Sequence, residues 1–228
     1  MPLVIGDSAE ALAGLLADHF LCRLQAAAFR RRTLRVALSG GHTPQGFYRE
    51  LARRNAECPW SSMEIFFSDE RAVGPDHPDS NYGMAFRTWL QAAPATAVIH
   101  RMEGERGAKE AAHAYRRLLP ENEPLDLVLL GLGPDGHTAS LFPADAGWRT
   151  PEPVLAVPAQ GNHGARISLG LPTLVAARER WLIAQGADKI PALRDALAGG
   201  GHTPAAELMR KAPVTAWIDR ALAQGLCP

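Results

Sequence analysis

Net charge and long apolar runs are both lacking in this chain of 228 residues. The 24 Lys and Arg residues balance the 24 Asp and Glu residues, and a formal net charge of zero argues against a nucleic-acid binder. Unbroken apolar runs stop at about four residues, as at residues 127–130, whereas a membrane span needs roughly 18–20. We therefore expect neither a nucleic-acid partner nor a membrane partner.

Cysteine is also scarce. The three cysteines, Cys22, Cys58 and Cys227, lie far apart and form no CxxC pair. This spacing argues against a structural zinc site and against a disulfide framework. Residues 1–7 have no basic start before an apolar stretch, so we expect no signal peptide. A reducing cytoplasm is the simplest compartment for such a chain.

Short apolar segments alternate with segments of helical spacing, which favours an α/β fold with a mainly parallel sheet flanked by helices. The length fits one Rossmann-like domain spanning residues 1–228. We predict strands at residues 34–38, 63–67, 98–102, 125–130, 166–169, 181–184 and 214–218. We predict helices at residues 8–30, 45–53, 81–91 and 108–119, and after residues 187 and 203.

Two local patterns add detail to this prediction. Asp7 followed by Glu10 is a capping-box pattern that puts Asp7 in the capping position of the first helix. Residues 143–164 contain four prolines and three glycines, which predicts a loop region.

Polar clusters follow four of the predicted strands, at residues 39–43, 69–71, 135–138 and 185–186. Ligands of open parallel sheets bind outside the carboxyl ends of the strands. We therefore expect these four clusters to meet at one site.

The first cluster contains two glycines between hydroxyl residues: Ser39, Gly40, Gly41 and Thr43. Such a strand-to-helix turn can cradle a phosphate, because glycines allow close approach and a helix N-terminus offers free N–H groups. An ordinary turn with Thr43 as N-cap fits equally well. Residues 199–204 nearly repeat the pattern after a predicted helix, so we interpret that copy as a helix end followed by a helix start.

Residues 131–136 match GxGxxG, but the proline after Phe142 stops any long helix, which disfavours a dinucleotide site. Asp135 and His137 follow the glycines. A histidine near a carboxylate at a strand end can act as a general base, since a histidine ordinarily titrates near pH 6.5. A histidine that only caps a short helix is the alternative.

The second cluster, Asp69, Glu70 and Arg71, combines two carboxylates with a guanidinium. Asp69 and Arg71 share one side if the chain stays extended, and Arg71 could then hold an anion or a developing oxyanion. A solvated charge cluster is the alternative. Arg166 and Lys189, one of only three lysines, open a later strand and a later helix.

These segments together resemble the 6-phosphogluconolactonase family. The matching segments are residues 39–44, 68–71, 79–82 and, most specifically, 131–143, where the sequence is Gly-Leu-Gly-Pro-Asp-Gly-His-Thr-Ala-Ser-Leu-Phe-Pro. Weaker matches occur at residues 166–169 and 186–189. They follow the family order and cover most of the chain.

The resemblance implies hydrolysis of 6-phospho-glucono-1,5-lactone to 6-phosphogluconate in the oxidative pentose phosphate pathway, with no metal and no organic cofactor. It also implies the fold of hexosamine-6-phosphate deaminases and a monomer or small homo-oligomer. By motif, His137 would activate water with Asp135 nearby, and Asp69 and Arg71 would bind substrate. Residues 39–43, Arg166 and Lys189 would form the phosphate side.

Two alternatives remain: a hexosamine-6-phosphate deaminase and a non-catalytic sugar-phosphate sensor. Deaminases tend to carry Gly-His-Ile-Ala-Phe-Asn-Glu-Pro after the glycines and an aromatic residue where Arg71 stands, which favours the lactonase. No basic or helix-turn-helix-sized extension precedes residue 34, which disfavours the sensor. His42 and residues 160–165 depart from the lactonase pattern, and the second departure weakens the assignment of Arg166.

Overall fold

The computed structural model describes residues 2–161, 163–199 and 201–226. These residues form ten strands and eight α-helices. The strands are β1 (Leu3–Gly6), β2 (Leu34–Leu38), β3 (Met63–Phe67), β4 (Asp69–Arg71), β5 (Val98–Ile99), β6 (Leu127–Gly131), β7 (Val154–Val157), β8 (Arg166–Leu169), β9 (Glu179–Ala184) and β10 (Thr215–Asp219). The helices are α1 (Ala9–Phe29), α2 (Thr43–Arg53), α3 (Asn81–Thr88), α4 (Ala108–Arg116), α5 (Leu171–Ala176), α6 (Ile190–Ala198), α7 (Pro204–Lys211) and α8 (Arg220–Leu226).

Seven strands form a parallel sheet in the order β1-β10-β9-β6-β2-β3-β5. The strands β9, β6, β2 and β3, which precede the polar clusters, are neighbours in this sheet. The order reverses between β2 and β6, which makes that junction the topological switch point. A small antiparallel sheet, β4-β8-β7, lies beyond the end of β3. The predicted fold class, a mainly parallel sheet flanked by helices, is confirmed.

Helices cover both faces of the parallel sheet, and its central strand β6 is apolar from Leu127 to Leu130. In β6, Leu127 and Leu129 join one buried cluster with residues of α1, α2 and α3, whereas Val128 and Leu130 join a second with α4 to α8. Each fully buried Leu or Val contributes roughly 1.5–3 kcal/mol relative to an exposed one. Continuous apolar runs are therefore typical of such strands.

The strands predicted at residues 34–38, 63–67 and 166–169 are confirmed at both ends. The predicted capping role of Asp7 is wrong. Helix α1 begins at Ala9, and the N-cap is Ser8, whose Oγ accepts from the N–H of Ala11 at 3.1 Å. Asp7 instead pairs with Arg220.

The prediction of a loop over residues 143–164 is wrong in part, because β7 lies within it and pairs with β8. Its four residues stand between two prolines, which are tolerated at strand ends and on edge strands. The strand predicted at residues 98–102 is only two residues long, at the edge of the sheet. The strand β1 and the helices α5 and α8 were not predicted.

Cys22 is an exposed free thiol and Cys58 a buried one, while Cys227 lies outside the described residues. Burial raises the pKa of Cys58 to about 11. Across the part of the chain that the structure describes, no helix has the length and apolar character needed to cross a bilayer.

Candidate active site

A cavity of about 400 Å³ opens at the carboxyl ends of β2, β3, β6 and β9, at the switch point of the sheet. The four predicted polar clusters meet there. The predicted site residues that line it are Ser39, Gly40, Gly41, Thr43, Asp69, Arg71, His137, Arg166 and Lys189. Asp135, the remaining predicted residue, contacts His137 beside the cavity.

The turn after β6 places His137 in the cavity and holds its ring on Asp135. Nδ1 of His137 lies 2.6 Å from Oδ1 of Asp135, and the backbone N–H of His137 donates to the same oxygen at 3.1 Å. Burial acts to raise the pKa of Asp135, but the charge and hydrogen bonds of His137 outweigh burial and lower that pKa below its ordinary value. An ionised Asp135 fixes a proton on Nδ1 and leaves Nε2 of His137 free to accept one.

Gly133 makes room for this pair. A Cβ at position 133 would lie 2.0 Å from Nδ1 of His137 and 2.6 Å from Oδ1 of Asp135. The N–H of Gly133 also donates to the carbonyl oxygen of His137 at 2.9 Å, which closes the turn. A side chain at position 133 would therefore displace the imidazole from the carboxylate.

Asp69 and Glu70 have different roles because successive side chains of β4 point to opposite sides. Asp69 lines the cavity. Glu70 accepts from the backbone N–H groups of Asn81 and Tyr82, both at 2.7 Å, and from Oγ of Ser80 at 3.0 Å. Burial raises the pKa of Glu70 although these hydrogen bonds act to lower it. Glu70 therefore fixes the start of α3, and Asp69 is the carboxylate available to a ligand.

The carboxylate of Asp69 is 6% exposed and is held by neutral donors. Oγ of Ser140 donates to its Oδ2 at 2.6 Å, and Nδ2 of Asn81 donates to its Oδ1 at 3.2 Å. Ser140 belongs to the segment that follows His137, so it links the two sides of the cavity. This arrangement makes Asp69 a fixed acceptor that a ligand hydroxyl can reach.

Two guanidinium groups lie side by side at the cavity, because Arg71 of β4 pairs in register with Arg166 of β8. Neither takes part in an ion pair among the described residues, and the Nε of each is buried without a hydrogen-bond partner there. Burial, and then the positive charge of Arg71, lower the pKa of Arg166, and the carboxylates of Asp69, Asp79 and Glu70 offset only part of this effect. Adjacent like charges of this kind form a site for an anion.

The glycine-rich turn after β2 is anchored from α2. The hydroxyl of Tyr48 donates to the carbonyl oxygen of Ser39 at 2.7 Å and accepts from its N–H at 3.1 Å. The alternative in which Thr43 is the N-cap is wrong, because α2 begins at Thr43 and the N-cap is His42. His42, Thr43 and Pro44 line the cavity, so the N-terminus of α2 lies at the cavity wall. This position favours an anion, because the free N–H groups of the first turn are available there.

Lys189 adds a third positive group, at the start of α6. Its Nζ lies 2.9 Å from Oδ2 of Asp188, an exposed carboxylate that also lines the cavity. Arg166 contacts the atypical loop at residues 160–165, because its Nη2 lies 3.4 Å from Nδ1 of His163. Asn162, in the same loop, lies outside the described residues.

Sequence analysis did not assign Asn81, Ser140 or Tyr48 to the site. Asn81 and Ser140 stand inside segments that carry the family resemblance, and this was the available signal. Tyr48 has none, since its spacing fits an ordinary buried position of α2. Over residues 2–161, 163–199 and 201–226, no group of three His, Cys, Asp or Glu side chains is arranged to hold a metal ion.

Comparison with known proteins identifies the family. The model of the glucosamine-6-phosphate isomerases/6-phosphogluconolactonase family matches residues 7–217. The 6-phosphogluconolactonase of Rhizobium meliloti (strain 1021) is 35% identical over 218 residues, 91% of this chain and 93% of that protein. The solved structure of 6-phosphogluconolactonase from Trypanosoma brucei is 26% identical, with a TM-score of 0.86 over 99% of this chain and 98% of that one. A monomeric glucosamine-6-phosphate deaminase, 21% identical, shares the fold with a TM-score of 0.84 over 98% of this chain and 99% of that one. The chain therefore belongs to the family of glucosamine-6-phosphate isomerases and 6-phosphogluconolactonases.

Proposed function

We propose that this chain hydrolyses 6-phospho-glucono-1,5-lactone to 6-phosphogluconate, a reaction of the oxidative pentose phosphate pathway. One observation carries the proposal: the paired His137 and Asp135 share a cavity with the guanidinium groups of Arg71 and Arg166, whose Nε atoms are buried without a hydrogen-bond partner among the described residues. A phosphorylated lactone needs both a base for water and a site for its anion. The names of the relatives support the same substrate.

His137 is the proposed base. Nε2 takes a proton from water while the water oxygen bonds to the lactone carbonyl carbon, and the carbonyl electron pair moves onto oxygen. When the carbonyl re-forms, the bond from carbon to ring oxygen breaks and His137 returns its proton to that oxygen. The carboxylic acid product then loses its proton to solvent. Asp135 orients the ring and stabilises the imidazolium without taking its proton.

The remaining site residues bind the sugar phosphate. The turn containing Ser39, Gly40, Gly41 and Thr43 offers N–H groups, and Arg166 and Lys189 offer charge; together they take the phosphate group.

Arg71 and Asp69 bind nearer the ring. Arg71 takes an anionic oxygen of the substrate or of the tetrahedral intermediate, and Asp69 accepts a hydrogen bond from a sugar hydroxyl. A lactone carbonyl is electrophilic, so a nucleophilic side chain is not required.

The test is opening of freshly made lactone, coupled to 6-phosphogluconate dehydrogenase and compared with a no-enzyme reaction. We expect acceleration proportional to enzyme, and a loss of at least about 100-fold in kcat for His137→Ala. His113→Ala, on the exposed side of α4, is the matched control and should match the unsubstituted protein.

Full activity of His137→Ala would remove His137 from the mechanism. No acceleration by the folded, unsubstituted protein would overturn the lactonase proposal. Ammonia release from glucosamine 6-phosphate would then test the deaminase alternative.

A further inference from the structure

The segment at residues 199–204, which nearly repeats the sequence of the phosphate turn, contacts the turn after β6, and its sequence does not predict this contact. Its interpretation as a helix end followed by a helix start is confirmed, since Gly199 ends α6 and Thr203 is the N-cap of α7; Gly200 lies outside the described residues. The start of α7 packs directly against Gly136, the residue that precedes His137. The copy therefore supports the turn that carries the proposed base.

The contact between Thr203 and Gly136 is tight. Gly136 has φ +83°, and a Cβ there would lie 2.6 Å from both Cβ and Cγ2 of Thr203. Next to it, the backbone N–H of Ala205 donates to the carbonyl oxygen of Gly136 at 3.1 Å. One face of the turn thus rests on α7, while Pro134 and Asp135 on its other face are exposed.

Thr203 is itself held in place. Its Oγ1 accepts from the N–H of Ala206 at 3.3 Å and donates to Oδ2 of Asp195 at 3.4 Å. The loop before it is tied down as well, because Arg149 donates to the carbonyl oxygen of His202 at 3.1 Å and Arg210 to that of Gly199 at 3.0 Å. These hydrogen bonds therefore fix the position of Thr203 relative to the turn that contains Gly136.

We propose that Thr203 is a positioning residue for His137: its carbon atoms support Gly136, and this contact keeps the imidazole on Asp135 and in the cavity. The kinetic consequence rests on the proposed lactonase function, whereas the effect on the His137 ring does not. The two are therefore tested separately.

Two substitutions separate the support from the helix cap. Thr203→Gly removes the atoms that contact Gly136 but keeps a residue type tolerated at an N-cap. Thr203→Val keeps the carbon contacts but removes the hydroxyl that caps α7 and donates to Asp195. We expect Thr203→Gly to lower kcat about 10-fold with KM changed less than twofold, because a small misplacement of a base is costly. We expect Thr203→Val to melt at a lower temperature with kcat within twofold of the unsubstituted protein.

The ring of His137 supplies the readout that does not need turnover. In ¹⁵N NMR, Thr203→Gly should change the tautomer balance and the ring ¹⁵N chemical shifts of His137, and Thr203→Val should leave both unchanged. Unchanged His137 signals and kcat in Thr203→Gly, or equal losses in both variants, would overturn the inference while leaving the lactonase proposal intact. Changed signals in a protein without lactonase activity would support the inference and defeat the proposed function.

The variant Thr203→Ser is the alternative if Thr203→Gly does not fold, because it loses only Cγ2. It should lower kcat about threefold and shift the His137 signals, and the absence of a shift would overturn the inference.

Discussion

The two ends of the parallel sheet each carry an arginine-lined cleft, and they differ in how the charge is balanced. The carboxyl-end cavity, of about 400 Å³, contains Arg71 and Arg166, and neither is ion-paired among the described residues. The amino-end cleft, of about 290 Å³, is lined by Arg23, Arg30, Arg32, Asp126, Arg178 and Glu179. The same residue type thus occurs in two different electrostatic environments.

At the amino end three of the four arginines are ion-paired within the chain, Arg23 with Glu179 and both Arg32 and Arg178 with Asp126, and Arg30 is exposed. Asp126 is 7% exposed and contacts Arg32, lies 3.3 Å from Nε of Arg178, and accepts from the backbone N–H of Arg35 at 2.9 Å. A half-buried cation without a partner weakens a fold, whereas a matched one need not. We infer that half-buried arginines without an ion pair indicate the ligand site, whereas ion-paired arginines have a structural role.

Removing the carboxyl-end arginines is expected to have the largest effect. Arg71→Ala and Arg166→Ala should each raise KM about 10- to 100-fold, because a charged hydrogen bond to an anion contributes roughly 1.5–3 kcal/mol. The double variant should raise KM further. Arg178→Ala at the amino end is the control, with an expected KM within twofold of the unsubstituted protein. Steady-state lactonase kinetics of each variant measure kcat and KM. An unchanged KM with a lowered kcat for Arg71→Ala would place that group on the transition state instead.

A substitution in the amino-end cleft should change the free energy of unfolding but not the kinetics. Asp126→Asn leaves Arg32 and Arg178 without their buried carboxylate and should lower the free energy of unfolding by about 2–3 kcal/mol. Urea denaturation measures this loss, and kcat and KM should stay within twofold. A marked change in KM would mean that the two ends are not independent, which contradicts the comparison.

The strand pattern was predictable where strands are central and failed where they are marginal. The strands β2 and β3 are apolar apart from Arg35 and Glu64, because side chains on both of their faces are buried. The strands β1 and β7 are short edge strands, and four residues between polar or proline positions carry little periodicity. Their pairing comes from neighbours that are distant in sequence.

The location of the site was predictable because the carboxyl ends of parallel strands meet at one edge. The residues that support the site were not. Ser140 and Asp69 lie 71 positions apart, and Asn81 and Asp69 lie 12 apart, so no local pattern reports these contacts. Thr203 and Gly136 lie 67 positions apart, so the motif at residues 199–204 does not report their contact.

A smaller effect is expected on the free energy of unfolding when the charge of Arg166 is removed. The folded state lowers the pKa of Arg166, first by burial and then by the charge of Arg71, so it disfavours the charged form that the unfolded chain carries. Arg166→Met should therefore raise the free energy of unfolding, by about 0.5–1 kcal/mol given the partial exposure of the site. Arg178→Met should lower it. Urea denaturation of both variants tests the sign, and a loss of stability in Arg166→Met would contradict the prediction.

The smallest expected effect tests whether the carboxyl end also contains one matched pair. The folded state lowers the pKa of Asp135, so its ionisation adds stability above the ordinary aspartate pKa of about 3.9, and this stability is lost as pH falls through the lower folded value. Relative to Asp135→Asn, the unsubstituted protein should be more stable at pH 6 by less than about 1 kcal/mol, because Asp135 is half-exposed. Urea denaturation at pH 6, 4 and 3 should show this difference shrinking as the pH falls. A difference that grows toward low pH would mean that His137 does not stabilise the carboxylate, and the proposed base would then lack the partner that orients it.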